Sequence, residues 1–136
     1  VNADRSTATT DAAFLKDRTW LESQRQTLLV ERAQYLRSAE SLAAEAASLM
    51  ADREPGDVQF DEESGEGDTL AVERDRDLAL SAAARRSVEQ IDKALARIAE
   101  GTYGICVVGG DIIPKERLEA IPEASVCVVH KVQSFT

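Results

Sequence analysis

FLKDRTWLESQRQTLLVERAQYLRSAESLAAEAASLM, residues 14–50, is the stretch on which the fold turns. Phe14, Leu21, Leu28, Tyr35, Leu42 and Leu49 recur at seven-residue intervals. Leu15, Leu29, Leu36, Ala43 and Met50 follow one place later, and Ala39 and Ala46 four places later. A stripe sustained over about six heptads is a coiled-coil seam rather than the face of a globular-core helix. It predicts a helix from Asp11 onward and requires a partner helix nearby. Arg18, Arg25 and Arg32 hold the four-places-later position in the first half, where long stems can cover a wider, partly solvated seam. The change to Ala39 and Ala46 implies a closer helix approach further along.

The partner lies between Thr69 and Glu100. Leu70, Leu78, Ala84, Val88, Ile91, Leu95 and Ile98 mark its apolar stripe. Thr69 or Asp68 suits the N-cap, Glu73 is expected in the first turn, and Gly101 supplies the stop. At 1.5 Å per residue the two helices would be about 60 and 48 Å long. Residues 11–101 therefore read as an antiparallel coiled-coil hairpin held by a thin seam. Residues 1–10 are small and polar and are expected to be disordered.

The reversal falls in DREPGDVQFDEESGEGD, residues 52–68, where Pro55, Gly56, Gly65 and Gly67 oppose helix. Eight acidic residues and one basic residue give this tip −7 of the formal −9 of the chain. Such a run is physically sufficient as a solvated turn. The charged stretch Glu73–Leu80, ERDRDLAL, reads as a solvent-facing part of the helix that follows.

The totals narrow the function. With 136 residues, pI near 4.6 and no Lys/Arg-rich run, the chain lacks the footprint of a direct nucleic-acid binder, and a basic partner surface suits it better. No apolar run reaches the roughly 18–20 residues that span a bilayer, and the N-terminus has no apolar signal core, so a cytoplasmic protein is expected. One histidine and no convergent catalytic spacing argue against an enzyme.

Residues 102–136 change character, to short β-prone and turn-prone pieces punctuated by Gly104, Gly109, Gly110, Pro114 and Pro122. Lys115–Ile121 fits a short helix or a turn, and a final short helix is expected after Val126. Cys106 and Cys127 stand in the frame Cys-x2-Gly-x17-Cys-x2-His, against the Cys-x2-Cys-x17-Cys-x2-Cys of a zinc ribbon. ALARIAEGTYGIC (94–106), IPKERLEAIPEASVC (113–127) and the hairpin before them resemble the DksA/TraR family of bacterial RNA-polymerase-binding proteins. The resemblance covers about Asp11 to Lys131.

It implies a mainly α fold, a long coiled-coil hairpin with a small, degenerate zinc-ribbon-like globular end. It further implies a regulator, associated with the stringent response, that docks this end on the rim of the polymerase secondary channel and pushes the tip towards the catalytic centre. RNA polymerase is then the partner, with no sequence-specific DNA reading, no membrane and a monomeric free state. Arg117 and Lys131 are the docking candidates. The family's tip string, Asp-x-x-Asp-x-Ala, is absent. Ungapped counting back from Cys106 sets Glu63 and Glu66 opposite its aspartates and Asp68 opposite its alanine, within a tip set of Asp61, Glu62, Glu63, Glu66 and Asp68. Carboxylates there suit bound Mg²⁺ and basic channel walls.

Gly109 and His130 leave at most Cys106, Cys127 and His130 as ligands. The reading is an end without a cofactor, in which Ile105, Val107, Ile112, Ile113, Leu118, Ile121, Val126 and Val128 form a substitute core. Zinc on three protein ligands plus water or Asp111 is the alternative, and a Cys106–Cys127 disulfide a further one. The competing function is a structural or adaptor coiled coil that self-associates.

Overall fold

Asp17 sets the start of the first long helix. In the computed structural model, which describes residues 12–51 and 66–128, its Oδ1 accepts the backbone N–H groups of Thr19 (3.0 Å) and Trp20 (3.2 Å). These are donors that a helix start leaves unpaired. Asp17 itself is extended, with φ −79° and ψ 106°. Helix α1 therefore spans Arg18–Ala51, and Ala13–Lys16 forms a separate 3-10 turn. The continuous helix expected from Asp11 is interrupted because the aspartate side chain takes the N–H groups that its own backbone turn releases.

Helix α2 spans Glu66–Glu100. It begins ahead of Thr69, which moves Glu73 from the first turn to the second. Gly67 is tolerated because first-turn residues have no helical N–H bond to lose. At the other end Gly101 adopts φ 82°. The Thr102 N–H reaches the Arg97 carbonyl (2.9 Å) and the Gly101 N–H that of Ile98 (3.3 Å), a Schellman closure. The turn residues Pro55, Gly56 and Gly65 lie outside the described residues.

The contacts divide the chain into two units, Ala33–Val88 and the pair Val1–Arg32 with Glu89–Thr136. Within Ala33–Val88, Ala39 and Ala46 of α1 and Ser81, Ala84 and Val88 of α2 are buried. The Ser81 hydroxyl donates to the Ala39 carbonyl at 2.8 Å, an approach that small side chains permit. Further along α1, Glu45 meets Asp77, and Leu49 and Met50 adjoin Leu70, Ala71 and Arg74, so the helices run antiparallel. Leu78 and Met50, both expected in the seam, are 47% and 56% exposed. Asp77 and Leu49 hold the inward positions, and the next residue on a helix points some 100° away.

In the other unit Gln24 and Leu28 of α1 and Ile91 and Ala94 of α2 are buried, whereas Leu29 lies at the edge. Two of the three arginines do not simply blanket the seam. Arg32 Nε donates to Asp92 Oδ1 across the helix pair at 2.6 Å, and Arg25 pairs with Glu22 on its own helix at 3.1 Å.

After Gly101 the chain folds back on itself, with an antiparallel bridge between Ile105 and Ile112. The N–H of Ile113 bonds the Gly104 carbonyl, that of Cys106 the Asp111 carbonyl, and that of Gly110 the Cys106 carbonyl, at 2.8, 2.7 and 2.8 Å. Of the Lys115–Ile121 stretch, Lys115–Ala120 forms helix α3, with Pro114 as its N-cap residue. Val128 is helical at the edge of the described residues. Tyr103, Cys106, Ile113, Leu118, Pro122 and Ala124 form the core of this end. Of the expected substitute core, Ile113 and Leu118 are fully buried and Ile105 and Val126 partly. Val107, Ile112, Ile121 and Val128 face outward instead. Side chains alternate along extended backbone, so burying Cys106 and Ile113 turns Val107 and Ile112 out.

Candidate functional site

The frame at Cys106 retains the turn of a zinc knuckle without its full ligand set. Cys106 is 1% exposed, and Cys127, partly exposed, holds its thiol 3.9 Å from Asp111 Oδ2. No disulfide joins them. Gly109 offers no donor, and His130 and Lys131 lie outside the described residues. Among the described residues no group of three His, Cys, Asp or Glu side chains is placed to hold a metal. A site that closes tetrahedrally on four protein ligands does not fit this set.

A polar cluster reaches the same end from α1. Gln24, 6% exposed, donates through Nε2 to the Leu118 carbonyl (2.8 Å) and the Tyr103 hydroxyl (3.0 Å). That hydroxyl donates onward to the Pro122 carbonyl at 2.8 Å. Burial raises the Tyr103 pKa against the opposing hydrogen bond from Gln24, so the phenol stays protonated and keeps donating. Trp20 stacks edge-on against Phe14 (centroids 4.9 Å apart, 86°), lies 6.2 Å from Tyr103, and donates from Nε1 to Glu119 at 3.1 Å. Gln24 was legible in principle. It is a polar residue three places after Leu21, on the inward side of an apolar stripe, and such residues at seam positions carry specificity.

Charged groups flank the cluster. Burial, then the nearby Glu123, raises the pKa of Glu31. Burial lowers that of Arg97, whose Nε and one Nη are buried with no hydrogen-bond partner. Arg117, a docking candidate, commits Nε to the Val126 carbonyl at 3.1 Å.

Of the tip set, Asp61, Glu62 and Glu63 lie outside the described residues, and Glu66 and Asp68 stand in the first turn of α2. A helix N-terminus favours carboxylates. Within Ala33–Val88, Glu45 approaches Asp77 of α2. The hydrogen bond and charge of Asp77, then burial, then Glu73, raise the Glu45 pKa above 4.5. Asp77, within the stretch read as a solvated charge run, thus stands carboxyl to carboxyl with the exposed Glu45. No described helix is long and apolar enough to cross a membrane.

Comparison with known proteins places this arrangement. A family model described as the prokaryotic dksA/traR C4-type zinc finger matches residues 101–129. The uncharacterized protein YteA of Bacillus subtilis is 40% identical over 74 residues, 54% of this chain and 31% of that protein. General stress protein 16O of the same organism is 40% identical over 60 residues, 44% of this chain and 37% of its own length. The chain thus spans well under half of these two relatives. The RNA polymerase-binding transcription factor DksA of Caulobacter vibrioides is 33% identical over 118 residues, 87% of this chain and 77% of that protein. The structure of transcription factor DksA2 from Pseudomonas aeruginosa superposes with a TM-score of 0.73 at 27% identity, covering 91% of this chain and 88% of that one. Two long helices packed along a thin seam, the Cys106–Cys127 frame and an alignment over most of both chains agree: this chain belongs to the DksA/TraR family, as a variant with a degenerate zinc-finger motif.

Proposed function

We propose that this protein is a non-enzymatic, cytoplasmic transcription regulator. It binds RNA polymerase at the secondary channel and directs the acidic tip, residues 52–68, towards the catalytic centre. The observation that carries this reading is the 33% identity over 118 residues to a factor named for polymerase binding. The likeness of fold to a second transcription factor supports it. Asp61, Glu62, Glu63, Glu66 and Asp68 act as the probe, their carboxylates competing with phosphates for cations near the bound metal. Arg117 and Lys131 contribute to docking. The free protein is monomeric and reads no DNA sequence.

The test separates binding from regulation. The protein is mixed with core polymerase, and retention and initiation are measured for wild type and for the triple variant Glu63→Ala, Glu66→Ala, Asp68→Ala. Retained binding with initiation shifted back towards the factor-free level is expected. A triple variant that regulates like wild type sinks the tip assignment, and no retention of wild type sinks the polymerase reading. A photocrosslinker at position 66 should label the loops around the catalytic centre.

A further inference from the structure

We infer that the cysteine-bearing end of this protein is a metal-independent fold, in which a polar clasp from α1 does the work that zinc does in a four-cysteine finger. The inference concerns the architecture of that end and stands whether or not the polymerase reading holds.

In a four-ligand finger the metal joins two knuckles that otherwise share little core, and its binding energy is the folding energy. Here the chain has two cysteines in all, and the fourth position of the first knuckle is Gly109. That knuckle closes on backbone bonds instead, Cys106 to Asp111 and Gly110 to Cys106, with Gly110 at φ 77°. The Val107 N–H bonds the Ser125 carbonyl at 2.9 Å, joining the first knuckle directly to the segment that leads to Cys127. The Cys106 side chain is placed as a core residue, 1% exposed, alongside the fully buried Ile113, Leu118 and Pro122.

The clasp supplies the remaining cross-links. One amide, that of Gln24, binds the last turns of α3 through the Leu118 carbonyl and the start of the ribbon segment through Tyr103. Through the Tyr103 hydroxyl it also reaches the Pro122 carbonyl. Three stretches distant in sequence, at residues 24, 103 and 118–122, are thus connected by three short hydrogen bonds in a buried setting, where each is costly to lose. Trp20 adds a fourth tie, from α1 to Glu119.

The alternative is a site built from Cys106, Cys127 and His130, completed by Asp111 or water, and the experiment distinguishes the two. The full chain is produced in zinc-supplemented medium, its zinc is measured by elemental analysis, and its melting is followed by far-UV circular dichroism with and without EDTA. Under the inference, zinc is below about 0.1 per chain, EDTA shifts the melting point by less than about 1 °C, and Cys127→Ser and His130→Ala melt within about 2 °C of wild type. Gln24→Leu melts at least about 4 °C lower. If Gln24→Leu is insoluble, Tyr103→Phe replaces it and should melt about 3 °C or more below wild type. One zinc per chain with a melting point that falls on chelation overturns the inference. So does a Cys127→Ser or His130→Ala protein as destabilised as the clasp variant, or a clasp variant that melts with wild type.

Discussion

Gly104 shows how much one position can hold. Its φ of 86° is strained for any side chain, and a Cβ there would collide with Leu15 Cδ2 of the 3-10 turn. Gly104→Ala should therefore destabilise the protein by about 1–3 kcal/mol, read as a lower urea midpoint with the slope unchanged. Gln24 and Tyr103 act on each other at the same scale. Removing the phenol leaves the Pro122 carbonyl and one amide proton of Gln24 without partners, which costs about 1–3 kcal/mol. The double variant Gln24→Leu, Tyr103→Phe should lose less than the sum of the singles, because each single strands a partner that the double removes. Additive losses would show that the two groups work independently.

Among the elements, the seven-residue stripe revealed the pairing of α1 with α2, since its period survives any uncertainty about ends. The ends themselves were hidden for a physical reason. Phe14 and Leu21 keep the heptad register straight across Asp17, so only the capping chemistry of Asp17 betrays the break. The carboxyl pair of Glu45 and Asp77 belongs to the same scale, because only the packing of two helices brings them together. Glu45 holds its proton more tightly folded than unfolded, so the folded state loses stability as pH rises from 4.5 through the folded pKa, and the full penalty stands at neutral pH. Glu45→Gln should raise the melting point at pH 7, and the gain should vanish as the pH falls below the ordinary carboxylate range. An equal gain at neutral and low pH would point to helix propensity rather than charge.

For the whole molecule, the formal charge of −9 sets the terms of association. On the proposed reading, retention by polymerase should weaken several-fold between roughly 0.1 and 0.3 M salt, because screening shortens the reach of exposed carboxylates. Retention indifferent to salt would move the weight of docking onto apolar contacts. The family was legible because Tyr-Gly-x-Cys and Ile-Pro-x-x-Arg-Leu-Glu-Ala-x-Pro are specific in order and spacing. The core of the ribbon-like end was less so. Its pieces are too short to show a period, and Val107 or Ile112 is as apolar as the neighbour that is buried in its stead.

The indole of Trp20, wedged between Phe14 and the Tyr103 side and tied to Glu119, is the only one in the chain. Its fluorescence is consequently a local gauge of the unit that contains the clasp, while helical ellipticity sums over both units. A single denaturant titration followed by both signals measures cooperativity directly. Superimposed curves mean that the chain unfolds as one body. An emission change that trails the ellipticity means that Ala33–Val88 melts first as a foldon of its own.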